Sequence, residues 1–298
     1  MIKKNAMITI AGRPNVGKST LINSLTGEKI AIVSNKPQTT RNRIFGVVNI
    51  DEVQLVLMDT PGFHKPQTRL GDYMVNVVKQ SVADVDAVML LVEPIPSIGK
   101  QEAILIERLR DIGVPSILVI NKIDTVDKDS LLTVISVYSE AHTFDAIIPL
   151  SARRGDGVPQ LVEELLKYAA DGPPLFPEGM TTDQPEKQIV AELVREKLLI
   201  NLQREVPHGT AVEVTKFSER GDEDAPIIDV DVTIYCEKAS HKGMIIGKHG
   251  DMLKKIGQQA RLDIERFMGA KVFLQTWVKV KENWRDSDSA VRNFGYND

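Results

Sequence analysis

Short, almost wholly apolar runs alternate with amphipathic stretches through residues 1–170, the runs falling at 7–11, 45–50, 54–58, 87–92, 116–120 and 146–150. Apolar runs of this length suit strands buried on both faces of a parallel sheet, and the amphipathic stretches between them suit crossover helices. Only a tight acidic turn separates 45–50 from 54–58, which predicts one antiparallel hairpin in an otherwise parallel sheet. The pattern breaks at DGPPLFPEGMTTDQPE, where Pro173, Pro174, Pro177 and Pro185 stand with Gly172 and Gly179. Such a stretch reads as a linker. Beyond it the periodicities give a helix (186–204), two strands (210–217 and 227–237) around the charged turn ERGDEDAP, a helix–loop–helix around GKHG, and a strand (271–280). The predicted division is an α/β domain over 1–170 with helices on both sheet faces, a linker over 171–185, and an α+β domain over 186–298.

With 298 residues, 42% of them apolar, each domain has material for a core. No stretch approaches the ~18 to 20 apolar residues that span a bilayer. The amino terminus, MIKKNAM, leads straight into the first strand without the apolar region of a signal peptide. The single cysteine, Cys236, excludes an intramolecular disulfide and a multi-cysteine metal site, and its strand setting makes it a small apolar filler. These features fit a reducing cytoplasm. A net charge of −4 excludes a generally basic nucleic-acid binder, so any such site must be a local patch.

Chemistry concentrates where the apolar runs end. After the first comes GRPNVGKST, which comprises Gly12, Arg13, Pro14, Asn15, Val16, Gly17, Lys18, Ser19 and Thr20. Two glycines with four residues between them let backbone N–H groups curl around a polyphosphate at a helix N-terminus, a phosphate-binding P-loop. Lys18 would reach the β and γ phosphates and Ser19 would sit on Mg²⁺. After the 54–58 run stands DTPG (Asp59, Thr60, Pro61, Gly62), offering a carboxylate to the Mg²⁺ shell and a glycine N–H to the γ phosphate. NKID follows the 116–120 run, and its Asp124 can accept both guanine N1–H and N2–H, which adenine does not offer. Asn121 would brace the loop and the base, and the Lys122 stem would cover the ring. SAR (Ser151, Ala152, Arg153) would direct the Ala152 N–H at guanine O6. Four motifs in order, each after a strand, make GTP or GDP with Mg²⁺ the ligand.

In the second domain MIIGKHG places Gly247 and Gly250 around Lys248 and His249 between two helices. A G-x-x-G loop of this kind clamps about four single-stranded nucleotides in KH domains. The element order α-β-β-α-α-β agrees, and residues 238–255 carry five lysines, Lys242 and Lys254 among them, against one acid. The competing readings are a plain interhelical turn and a module that docks a protein. The rings of Trp277 and Trp284 could stack bases, but Trp277 alternates with apolar neighbours and is expected in the core.

Taken together, GRPNVGKST, NKPQTTRNR, DTPG, NKID, SAR, MIIGKHG, LQTWVKVKENW and a terminal FGYND make the whole chain resemble the Era family of bacterial GTPases, with a type II KH domain in its C-terminal half. The resemblance implies a ribosome-assembly factor, monomeric, that binds the 3′ end of small-subunit ribosomal RNA on the 30S precursor and associates peripherally with the inner membrane. It also implies that Thr39 or Thr40, with Thr40 preferred, is the switch threonine that meets Mg²⁺ and joins Lys18 and Gly62 in catalysis. Phe63 stands where many small GTPases carry a water-orienting glutamine and cannot hydrogen-bond, which implies slow intrinsic hydrolysis. An asparagine at the place of Asn15 helps hold K⁺ in related GTPases, and His64 is read as a bystander.

Overall fold

The computed structural model describes residues 1–36, 38–59, 85–222 and 225–296. Among them the chain forms two compact units that meet in sequence between Asp183 and Gln184. Thr60, Pro61, Gly62, Phe63 and His64 lie outside the described residues.

The first unit is built on β1 (Lys4–Gly12), β2 (Ile44–Ile50), β3 (Val53–Asp59), β4 (Ala87–Val92), β5 (Ser116–Ile120), β6 (Ala146–Pro149) and the two-residue β7 (Ala170–Asp171). Its sheet runs 2-3-1-4-5-6, with β7 beside the start of β1. The pairs β2–β3 and β1–β7 are antiparallel and the others parallel, so the expected hairpin sits at the edge of a parallel sheet. Helices α1 (Lys18–Thr26), α2 (Lys100–Ile112), α3 (Lys128–Ala141) and α4 (Val158–Leu166) cover both faces. Strand β4 shows why its run is continuously apolar. Ala87, Met89 and Leu91 enter one core with Leu21, Ile22, Leu161 and Leu165 of α1 and α4, whereas Val88, Leu90 and Val92 enter the other with Leu105, Leu109 and Val134 of α2 and α3. Strand order reverses at β1, which puts the crevice for a ligand at the end of that strand.

The segment expected to be a linker is tied to this first unit. Gln54, fully buried in β3, accepts from the N–H groups of Leu175 and Phe176 at 2.7 and 2.9 Å and donates to the Phe176 carbonyl at 2.9 Å. The Val47 N–H donates to the Thr181 carbonyl at 2.8 Å and the Phe45 N–H to Asp183 Oδ1 at 3.0 Å. A buried amide must be satisfied, and the folded-back chain satisfies it; the expected boundary at 170 thus moves to Asp183.

The second unit contains α5 (Glu186–Asn201), β8 (Ala211–Arg220), β9 (Ile227–Cys236), α6 (Ala239–Ile246), α7 (Asp251–Met268), β10 (Lys271–Val280) and α8 (Asp288–Asn293). Its sheet runs β10-β9-β8, with β8–β9 an antiparallel hairpin and β9–β10 parallel. The right-handed crossover rule leaves α6 and α7 to bridge β9 and β10 on one face. Cys236 is buried as expected, its thiol meeting the carbonyls of Lys238 and Lys279, and burial pushes its pKa up.

Trp277 is not in the core, where it was expected. Trp277 is 44% exposed, whereas Trp284 is fully buried, donates from Nε1 to the Gly209 carbonyl at 2.9 Å and packs against Phe294 and Tyr296. In β10 the side chains of Val272 and Val278 face the helices, so period two turns Phe273 and Trp277 to the other face. Apolar residues on both parities of VFLQTWV hide that division in the sequence. The ordered FGY segment and helix α8 are what bury Trp284. No helix among the described residues is long and apolar enough to cross a membrane.

Candidate functional site

The loop after β1 delivers the polypeptide into α1 with Gly17 at φ 106°, and no side chain caps the helix N-terminus. Its first-turn N–H groups are therefore open to an anion. A Cβ on Gly17 would lie 2.2 Å from Asn121 Nδ2, so a side chain there would collide with the amide that braces the loop. Lys18 is buried, its ammonium donating to the carbonyls of Gly12 and Arg13 at 3.3 Å each. Burial lowers its pKa, against the opposing pull of the Asp59 carboxylate.

Three oxygen donors converge beside this loop. Ser19 Oγ donates to Asp59 Oδ2 at 2.8 Å and stands 2.9 Å from Thr40 Oγ1, which is itself 3.5 Å from Asp59 Oδ2. Thr39 is engaged elsewhere, donating to the Lys36 carbonyl at 2.6 Å and meeting Ser34 Oγ at 2.7 Å. Two hydroxyls and one carboxylate are hard ligands too few to cage a cation alone, which suits Mg²⁺ that completes its shell with phosphate oxygens and water. Among the described residues no cluster of three or more His, Cys, Asp or Glu side chains is poised to hold a metal.

The end of the pocket formed by Asn121, Asp124 and Ser151 is cross-braced. Asn121 Nδ2 donates to the Val16 carbonyl at 2.8 Å, and its Oδ1 accepts the Ala152 N–H at 2.9 Å. That N–H, expected to aim at guanine O6, is satisfied by Asn121 here because a buried amide takes the nearest acceptor. Ser151 donates to Asp124 Oδ1 at 2.8 Å, and this bond leads the causes that hold the Asp124 carboxyl below the usual range, Arg154 and Arg153 adding to it. Asp124 is thus an acceptor on both oxygens, as guanine recognition demands. Lys122, at φ 65°, donates to the Asn15 carbonyl at 2.8 Å. Asn15 reaches from the P-loop to the Asn35 carbonyl at 2.9 Å.

The sequence reading missed Glu93, just beyond β4. It pairs with Lys122 at 2.5 Å and with Arg13 at 3.4 Å, and Arg13 also pairs with the buried Glu102 of α2 at 2.5 Å. The Arg13 side chain is therefore spent on these acids rather than on the pocket, whose volume is about 430 Å³ and whose walls include Pro14, Thr20, Thr40, Asp124 and Arg153. The space is of nucleotide size.

In the second unit α6 ends at Gly247, φ 75°, where a Cβ would meet Met252 Cβ at 2.7 Å. Lys248 and His249 stand exposed in the turn, His249 at φ 53°, and α7 starts after Gly250. Beside the turn, α7 and β10 enclose a groove of about 390 Å³ with Lys254 and Arg261 on one wall and Leu274 and Thr276 on the other. Lys242 is half-buried on α6 and does not line that groove. Arg261 and the β10 wall were missed because they lie outside the lysine cluster in sequence; an arginine one helical turn past Gly257 was their only signal.

Residues 7–122 match the family model described as 50S ribosome-binding GTPase, and residues 205–285 match the KH domain model. GTPase Era of Ruminiclostridium cellulolyticum is 53% identical over 99% of this chain and 98% of its own, and GTPase Era of Clostridioides difficile is 49% identical over 99% of each. Among solved structures, an Aquifex aeolicus Era variant bound to GDP.AlF4− superimposes with a TM-score of 0.92 at 37% identity, covering 98% of this chain and 99% of that one. Era in complex with MgGDPNP and nucleotides 1506–1542 of 16S ribosomal RNA gives the same TM-score and identity over 99% of each chain. With relatives this similar from end to end, and with both motif sets folded into a pocket and a groove, the chain belongs to the Era family of GTPases.

Proposed function

We propose that the protein is a GTP-driven switch that binds the 3′ end of 16S ribosomal RNA through its GKHG groove and assists 30S subunit biogenesis. The observation that carries the nucleotide half is the meeting of Ser19, Thr40 and Asp59 oxygens beside the uncapped start of α1. In this reading Lys18 and the N–H groups of the P-loop bind the phosphates, while Asn121, Lys122, Asp124, Ser151, Ala152 and Arg153 hold the guanine. Mg²⁺, held by Ser19, Thr40 and Asp59, neutralises charge between the β and γ phosphates when bound. Thr40 rather than Thr39 is the switch threonine, and Gly62 senses the γ phosphate. Asn15, lying against the Asn35 carbonyl, is the residue that would hold K⁺. Phe63 keeps intrinsic turnover slow.

Gly247, Lys248, His249 and Gly250 clamp the RNA backbone, with Lys254 and Lys242 supplying charge. The likeness to Era bound to 16S ribosomal RNA supports this half. Action as a monomer in the cytoplasm, with peripheral attachment to the inner face of the membrane, is taken from the family. Because nucleotide and RNA would be linked sites, RNA must change GTP affinity by the factor by which GTP changes RNA affinity.

The test is binding of a single-stranded RNA from the 3′ end of 16S ribosomal RNA in the presence of a GTP analogue or GDP. The Lys248→Asp, His249→Asp double variant is expected to lose the RNA and keep the nucleotide. Equal wild-type affinities in both nucleotide states would sink the switch, and no RNA binding in either state would make the second domain a protein-docking module.

A further inference from the structure

The outer face of β10 carries a pattern that the groove does not use. Lys271, Phe273, Gln275, Trp277 and Lys279 share that face by period two, and the strand has two lysines and no acid. Phe273 is 50% and Trp277 44% exposed, which is large for aromatic rings on a folded sheet. Among the described strands β10 pairs with β9 alone, so its other edge is free. Leu274 and Thr276, between the exposed residues, wall the groove on the opposite face. Groove and aromatic stripe are thus the two sides of one edge strand.

We infer that this stripe is a second RNA-contacting surface, on which bases stack against Phe273 and Trp277 while Lys271 and Lys279 neutralise the phosphates of a strand that leaves the groove around the free edge. The inference rests on reading the GKHG groove as an RNA site. Aromatic rings set between lysines are the combination that holds single strands without sequence preference, because every base has a face to stack. A protein partner fits less well, since lysine is depleted at the centre of protein interfaces. The acids on this face belong to the other two strands, β8 and β9. Asp229, level with Phe273, is paired with Arg220 at 2.9 Å and Lys216 at 3.6 Å, and Glu213 accepts from the Tyr235 hydroxyl at 2.8 Å. Asp231 stands level with Gln275, which is polar and uncharged. The charge left along β10 itself is positive.

The experiment compares the full-length protein with a Phe273→Ser, Trp277→Ser variant on two RNAs from the 3′ end of 16S ribosomal RNA, one of about four nucleotides that fills the groove and one of about twelve. The double variant is expected to bind the short RNA as the wild type does and to lose about tenfold or more on the long one. Trp277→Phe should restore the long-RNA affinity, because phenylalanine also stacks, and should abolish the quenching of tryptophan emission that the long RNA causes in the wild type. Unchanged affinity of the double variant for the long RNA, or quenching that survives Trp277→Phe, would overturn the inference and leave the stripe to a protein. Wild-type protein that binds neither RNA would instead mean that the groove reading itself has failed.

Discussion

The P-loop pocket and the GKHG groove are both built around a pair of glycines, yet the rest of each is made differently. Around the pocket several polar side chains each bridge two partners. Asn121 joins the Val16 carbonyl to the Ala152 N–H, Ser151 holds Asp124, and Glu93 links Lys122 to Arg13. Around the groove Lys248, His249 and Lys254 stand exposed, and only the backbone of the turn is fixed. The first is organised before its ligand arrives, and one lost group should be costly. The second would spread its affinity over exposed charges, and its sensitive point should be backbone shape.

The largest effect that tests this contrast is Asp124→Asn. Replacing an ionised acceptor of two guanine donors by an amide should weaken GTP binding by about a hundredfold or more and raise affinity for xanthosine triphosphate, whose C2 oxygen accepts. Titration calorimetry with both nucleotides decides it, and unchanged guanine preference would remove Asp124 from its role. Next is Gly247→Ala, where a positive φ and a Cβ 2.7 Å from Met252 make the turn strained. A penalty of roughly 1–2 kcal/mol should lower RNA affinity about tenfold while nucleotide affinity stays constant. Loss of both affinities together would erase the distinction between the two sites. The smallest effect is expected at Glu93→Gln. Its ion pairs are about a third exposed, so the variant should release GDP only about threefold faster in stopped-flow measurements.

How far each part could be read beforehand follows from where its partners lie in the chain. Lys18, Ser19 and the NKID residues are proposed to meet a ligand of fixed shape, so their spacing carries their chemistry. Glu93 meets Arg13 and Lys122, which become its neighbours only once β1, β4 and β5 lie side by side. A lone glutamate after an apolar run gives no hint of that. Gln54 looks like an interruption of the apolar run in β3, but it is the hydrogen-bonding post for Leu175 and Phe176. Trp277 and Trp284 differ by seven positions, and the burial of Trp284 depends on Phe294 and Tyr296 at the far end of the chain. Local periodicity cannot report such a contact.

The strap that runs from Pro173 to Asp183 has one more consequence. Strand β2 is the last strand of its sheet, and its outward N–H groups at Phe45 and Val47 would otherwise offer a template to any extended chain nearby. The strap occupies them, forms a bridge between Gly46 and Thr182, and sets Phe176 against Phe45 with ring centroids 5.7 Å apart. Pro173, Pro174 and Pro177 have no N–H with which to carry the hydrogen-bonding ladder onward. A segment that looks like a spacer in sequence serves as a stopper, protecting a newly made chain from sticking edge-to-edge to its own copies.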